Sequence, residues 1–342
     1  MNSTFIRRLF YFFSKPFSIQ LLQFLTNQYI IFPFYHTVSD NPSPLIKNLY
    51  PVVSVDRFKK DLEFLLKYYE PATCDEALNF ASTKVYRGKP RFFLSFDDGF
   101  SECNTVIMPI LKEKGVQAAF FINPAFVGNH QMSHRQKISL IIDAIDNNEI
   151  PSRDREAGKL LSHSGFKQRE IIKALKKCTI LESNLINSIA KIYRVDFNEA
   201  LVKYKPYMNI NQLRELKANG YVLGSHSYNH PEFSLLSMYD MKEQVDKSFS
   251  YLESETDINK RIFSFPFHDI GVPMSFFKIL QEEAGVKASF GTSGLKYDDA
   301  PGHLHRIPME VNQFHEAESI IRMEYFYYLV KMLLGKNTIA RR

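Results

Sequence analysis

Two adjacent carboxylates, Asp97 and Asp98, end the aromatic run Phe92-Phe93-Leu94-Ser95-Phe96, and Gly99 follows at once. The run reads as a buried strand. Neighbouring acids at its end repel each other and gain nothing from burial. A divalent cation beside one carboxylate, with the other left to move protons, gives such a strand end a chemical purpose. An ordinary acidic strand-to-loop turn is the plain alternative for any isolated Asp-Gly. Far downstream, Gly224-Ser225-His226-Ser227-Tyr228-Asn229-His230-Pro231 presents two imidazoles four residues apart. On a helix that spacing shares one face, but Pro231 drives His230 out of helical geometry, so a tight loop leaving a strand Tyr221–Ser225 is expected. Two neutral imidazoles and one carboxylate make a three-ligand set with a position open for water, as catalytic zinc requires. Alone, His-x-x-x-His reads as two surface histidines; joined to Asp97-Asp98 at another strand end, it becomes specific.

The elements that must position these groups follow from hydrophobic period. Strands are predicted at Tyr29–Tyr35, Phe92–Phe96, Gln117–Ile122, Tyr221–Ser225, Ile262–Pro266, Lys287–Gly291 and His303–Pro308. Helical faces lie between most of them: Val55–Tyr69 capped by Ser54, Val106–Lys114 ending at Gly115, Leu213–Asn219 ending at Gly220, Met238–Leu252 and Met274–Glu283. This alternation argues for a parallel sheet or barrel of about seven strands, with loops at the carboxyl ends of the strands holding the site. Between Phe126 and Tyr207 the strand signal disappears, while 138–145, 169–178 and 185–193 read as helices. A structureless loop of that length is improbable in a compact domain, so an inserted helical subdomain is predicted near the barrel mouth. A long helix over 316–334 and a basic Arg341-Arg342 close the sequence.

Composition narrows the function classes. At 342 residues and 45% apolar content, one large domain or two ordinary ones are accommodated. A net charge of +6 without a dense Lys/Arg block excludes a nucleic-acid arm as the main theme but suits an anionic partner or membrane surface. Three scattered cysteines point to reduced thiols in a cytoplasm rather than a disulfide framework. With no tryptophan, a sugar ring must stack on Tyr or Phe. The arm 1–28 joins Arg7, Arg8 and Lys15 to Phe10, Phe12, Phe13 and Phe17; it suits either a membrane interface or packing on the domain. No apolar run reaches the ~18 residues of a membrane span.

With Ser95–Gly99, Gly224–Pro231 and Phe263-Ser264-Phe265-Pro266-Phe267 in view, the chain resembles the polysaccharide deacetylases, the NodB-homology carbohydrate esterases of family 4 type. The resemblance covers roughly Tyr29–Met309 apart from the helical segment. It implies a distorted (β/α)7 barrel, which takes 29–127 and 207–312; the helical insertion read above then takes 128–206, and the carboxy-terminal helix and tail 313–342. It further implies one divalent metal, zinc with cobalt or nickel as substitutes, on Asp98, His226 and His230, with Asp97 as general base. A metal lowers the pKa of water from ~15.7 towards ~7, which a nearby carboxylate then exploits, while the departing amine needs a proton donor. The motif Pro33-Phe34-Tyr35-His36-Thr37-Val38 is similar to the Tyr-His segment of the poly-N-acetylglucosamine deacetylases, in which the acid histidine comes first. His36 is therefore the expected acid, with His305 of His303-Leu304-His305 the runner-up and a core histidine the alternative. Where many relatives carry an arginine two residues before the proline, Ser264 stands here. Arg306 is the candidate replacement, its ordinary alternative being a surface pair with Glu310. Tyr35, Phe265, Pro266, Phe267 and Arg306 are the expected substrate contacts.

The leading expectation is a metal-dependent hydrolase removing N-acetyl groups from an acetamido sugar of a surface polysaccharide, glycolipid or precursor, in the cytoplasm or at the inner face of the membrane. The same site suits a deformylase or other amide hydrolase. A non-catalytic sugar-binding component of a glycan assembly is the third reading, and the intact set Asp97, Asp98, His226 and His230 weighs against it.

Overall fold

A computed structural model describes residues 3–147, 151–166, 170–311 and 316–341, with side chains from residue 8 onward. The side chain of Arg7, the expected helix start Arg169 and the basic Arg342 lie outside the described residues. Eight parallel segments form the main sheet: β1 (Pro33–Tyr35), β2 (Leu94–Phe96), β3 (Ala118–Ile122), β4 (Val222–Ser225), β5 (Ile262–Ser264), β6 (Ala288–Gly291), β7 (His303–His305) and β8 (Ile307–Pro308). Their order is β7-β6-β5-β4-β3-β2-β1-β8. The two ends of that order are halves of one strand separated only by Arg306. Leu304 registers with Phe290 on one side and Pro308 with Phe34 on the other, so 303–308 closes the sheet into a distorted barrel. The expected (β/α)7 architecture is present, with the last strand split to serve both neighbours.

Helices Val55–Tyr68, Met108–Lys114, Ile210–Ala218, Met238–Thr256 and Met274–Glu282 connect the strands. Ser54 caps the first, its side chain accepting from the Arg57 amide at 3.3 Å, and Gly115 ends the second at φ 64°, a conformation that favours glycine. Strand alternation sorts the core. Leu94, Phe96, Tyr35 and Phe120 pack outward beneath the helices, whereas Phe32, Phe93, Phe121, Phe290 and Leu304 form a separate cluster with Ala77 and Phe80 of helix Cys74–Thr83. Ser95 and Asp97 fall between the outward residues of their strand and therefore face into the barrel.

Between β3 and β4, helices His134–Asn147, Pro151–His163, Ile171–Leu175, Ser183–Tyr193 and Phe197–Tyr204 carry a core of their own around Ile138, Ile141, Leu161, Leu175 and Ile189. A second cluster (Phe100, Phe126, Tyr207 and Leu201) ties this segment to the barrel loops. The amino-terminal arm is helical, Ser3–Ser14 and Ile19–Thr26. Phe10 and Phe17 pack on Phe326 of helix Ala317–Leu333, while Phe12 and Phe13 stay exposed at 65% and 53%. Among the described residues no helix is long and apolar enough to cross a membrane.

Candidate active site

The strand β2 ends in two left-handed residues, Asp98 at φ 72° and Gly99 at φ 69°. A side chain at Gly99 would press on Ile122 at 3.3 Å, so glycine suits both the turn and the packing. Asp98 has no such freedom, and holding it there is strain placed at the site itself. The loop after β4 is equally constrained: Ser227 and His230 have φ 65° and 62°. Ser227 Oγ accepts the His230 amide at 3.0 Å, and Gln244 Oε1 accepts the Tyr228 and Asn229 amides at 3.1 Å each. Asn123 donates to the carbonyls of His226 and Ser227. The expected non-helical loop is thus fixed by side chains from two other elements.

These turns bring Asp98, His226 and His230 together, with ligand atoms all within 4.8 Å of one another. Asp98 Oδ1 lies 3.5 Å from His226 Nε2 and 3.2 Å from His230 Nε2, and it is buried without a hydrogen-bond partner. His226 Nδ1 donates to the Ser264 carbonyl at 2.8 Å, which leaves Nε2 as the lone-pair nitrogen facing Asp98. Burial pushes His226 down to about 4, outweighing the pull of Asp97, so the ring is neutral at neutral pH. An orphaned carboxylate oxygen between two imidazole nitrogens is the donor set of a divalent metal, and these residues fit one.

Asp97 is almost fully buried beside this group. Arg306 grips it in a fork, Nη1 to Oδ1 at 2.8 Å and Nη2 to Oδ2 at 2.7 Å. The same guanidinium reaches Ser95 Oγ at 3.0 Å and Ser264 Oγ at 2.6 Å and stacks 4.2 Å from the Phe34 ring centre. Burial raises the Asp97 carboxyl, but Arg306, joined by His226 and His36, outweighs it and holds the group below the usual carboxylate range. The small side chains of Ser95 and Ser264 leave the space that the guanidinium fills. The arginine missing before the proline is therefore replaced from the last strand. Because Arg306 is wholly buried, the expectation that it touches substrate is corrected: it sits beneath Asp97.

On the β1 side, His36 Nδ1 is bonded to Glu310 Oε2, and Glu310 Oε1 accepts the amides of His36 and Thr37 at 2.9 and 3.2 Å. Glu310 pairs with His36, not with Arg306. Tyr50 stacks on the His36 ring at 4.3 Å with its buried hydroxyl unpartnered. Burial alone lowers His36, but Glu310, assisted by Asp98 and Asp97, raises it to about 9. The alternative of a core histidine does not describe this partly exposed ring.

The remaining sequence expectations divide by strand face. Tyr35 points outward, fully buried, and donates to Asp61 at 2.9 Å; Phe265 packs outward among Phe263, Phe276 and Phe277. Neither is available to substrate, and Pro266 is buried too. Phe267 is the half-buried member, edge-on to His230 at 4.7 Å. His305 also faces outward and is excluded as the acid. It donates to Asp298 at 2.9 Å within a second Asp/His group that includes Asp269 and His303. Arg341 occupies that group, bonded to both carboxylates, so its charge is already compensated. Glu310, Tyr50 and Asn123 were not singled out by sequence reasoning as site residues. The register Pro308↔Phe34, extended by two residues, places Glu310 opposite His36, so the strand closure was the missing signal.

The polysaccharide deacetylase family model matches residues 84–177 and 186–305. The chain belongs to this family. Solved deacetylases share its fold. Streptococcus pyogenes deacetylase PplD, in complex with acetate, superposes with a TM-score of 0.54 at 14% identity, over 86% of this chain and 97% of that one. IcaB from Ammonifex degensii gives 0.54 at 15% over the same shares, and a Bacillus cereus polysaccharide deacetylase gives 0.51 at 14% over 86% and 68%. No curated protein matches the sequence. The family match contains Asp97, Asp98, His226 and His230 but stops short of His36, Arg306 and Glu310, the residues brought in by barrel closure.

Proposed function

We propose that the chain is a metal-dependent N-deacetylase of an acetamido sugar in a surface polysaccharide, glycolipid or precursor. The observation that carries this is the unpartnered Asp98 Oδ1 between two imidazole nitrogens, with the Arg306-held Asp97 alongside. Asp98, His226 and His230 would hold a divalent metal, zinc by its donors, which would supply Lewis acidity toward the acetyl oxygen and toward water. Asp97 accepts the proton from the attacking water through a lone pair that Arg306 leaves free. His36, with Nδ1 held by Glu310, presents its other nitrogen as the acid that protonates the departing amine. Phe267 forms the wall beside the acetyl group, and Tyr50 keeps the His36 ring in place. The exposed Leu9, Phe12, Phe13 and Phe24, with Arg8 and Lys15 nearby in sequence, support a proposed seat at an anionic membrane surface.

Acetate release from N-acetylglucosamine oligomers, with Zn²⁺ or Co²⁺ and with chelator, tests the reading. Activity is expected to vanish with chelator and in Asp98→Ala, and to return when metal is added back to the wild type alone. Full activity in Asp98→Ala contradicts it.

A further inference from the structure

Phe267 touches more than the ligand cluster. Its ring also lies under the guanidinium of Arg135, whose Cζ is 6.0 Å from the ring centre, and borders a cavity. The cavity, about 170 Å³ and open to solvent, is lined by His134, Arg135, Lys176, Lys177, Glu232 and Phe267 among others. The helical insertion therefore places Arg135 one aromatic ring away from His230, with the exposed Lys176 and Lys177 lining the same cavity. Arg135 is half-buried and donates to the Lys176 carbonyl at 3.1 Å. None of the described carboxylates forms an ion pair with Arg135, Lys176 or Lys177; Glu232, across the cavity, faces His268 at 3.5 Å. Burial alone lowers the Arg135 pKa, with no carboxylate opposing it. By contrast, Arg91, Arg261, Arg306 and Arg341 each sit on a carboxylate. His134, only 7% exposed, adds an Nδ1 without a partner. Keeping a desolvated guanidinium without a counter-charge and a buried imidazole nitrogen without a partner is costly unless a ligand completes them.

We propose that this cavity is a subsite for an anionic group, carboxylate or phosphate, carried by the substrate on or next to the acetamido sugar. The inference rests on the deacetylase reading for the reacting group, but the anion site itself is testable by binding alone. A planar guanidinium matches both oxyanions in a two-point contact, and the flanking ammonium groups add charge without demanding one geometry. The insertion then serves as the specificity element of the barrel.

The test uses the full chain with His36→Gln to slow turnover. It is titrated calorimetrically with three probes: a neutral N-acetylglucosamine tetramer, a tetramer alternating N-acetylglucosamine with glucuronate, and UDP-N-acetylglucosamine. At least one anionic probe is expected to bind about 10-fold or more tighter than the neutral one. The combined Arg135→Gln, Lys176→Gln and Lys177→Gln changes erase that preference and leave neutral-probe binding and melting temperature unchanged. Arg135→Lys keeps only part of the preference, because an ammonium retains the charge but not the two-point contact, and the exposed pair Lys176→Gln/Lys177→Gln alone weakens it. In the otherwise wild-type enzyme, Arg135→Gln raises KM for the anionic substrate about 10- to 100-fold with kcat preserved. Whichever anionic probe responds identifies uronate or phosphate as the source. Equal binding of neutral and anionic probes, or a preference that survives loss of all three cations, overturns the proposal. Anion preference without acetate release from any probe supports the subsite while refuting the deacetylase reading.

Discussion

The Asp97–Arg306 pair shows how one buried fork governs both chemistry and stability. Both side chains are buried, so removing either leaves an uncompensated charge in the barrel, at a cost of about 3–5 kcal/mol. Arg306→Gln is therefore expected to lower the urea midpoint and to reduce kcat, with metal content preserved. A destabilised variant of full activity would separate Arg306 from the orientation of Asp97. With His36 as the proposed acid, the pH dependence is expected to follow its ring. Its pKa is raised to about 9, so the proton-donating form persists through neutrality and the rate falls as pH rises through about 9. The same pairing stabilises the fold fully below the unfolded value of ~6.5 and is lost as pH climbs through the folded one. In Glu310→Gln burial remains and the principal raising charge is gone, so the alkaline limb of kcat/KM is expected to move to lower pH. An unmoved limb would assign it to another group. Asp97, Asp98, His226 and His230 were legible because their motifs are local. Glu310 and Tyr50 were not, since each acquires meaning only from what it packs against. Tyr35 and Phe265 were misread by one step of strand alternation, which sends each to the outer face.

Most strands and connecting helices were legible from hydrophobic period, and the loops at their ends bring Asp98, His226 and His230 together. Helix Cys74–Thr83 escaped the periodicity reading although Thr73 and Glu76 form a reciprocal cap, a signal present in the sequence. The split of the last strand was not legible, because pairing residues 303–308 with both β6 and β1 is a non-local consequence of closure. Close packing inside the barrel gives this level its own test. A side chain at Gly224 would meet Ile262 Cγ1 and Phe121 Cδ1 at 2.7 Å, two residues before His226. Gly224→Ala is expected to cost about 1–3 kcal/mol in denaturant unfolding and to weaken metal retention by displacing the His226 loop. Unchanged stability and metal content would mean that the barrel yields at this point.

Arg341 ties the tail to the body of the molecule. Residues Thr338–Ile339 pair with Tyr297–Asp298, and Arg341 reaches Asp269 in the loop that also carries Phe267. His303, in the same group, is pushed down to about 4 chiefly by burial, so on acidification the unfolded chain takes up its proton first, near 6.5. Stability from this group therefore declines as pH falls from about 6.5 towards 4, and the depressed carboxyls of Asp269 and Asp298 extend the loss at lower pH. Arg341→Gln is expected to lower the melting temperature at neutral pH by leaving two buried carboxylates without their cation. An unchanged melting temperature would show the tail to be dispensable. The central claim is the placement of a metal at Asp98, His226 and His230. Elemental analysis of the purified full-length protein after loading with Zn²⁺ and desalting addresses it most directly. One equivalent is expected in the wild type and none in Asp98→Ala that retains its circular dichroism spectrum; a wild type without bound zinc, or an Asp98→Ala protein that keeps its equivalent, contradicts it.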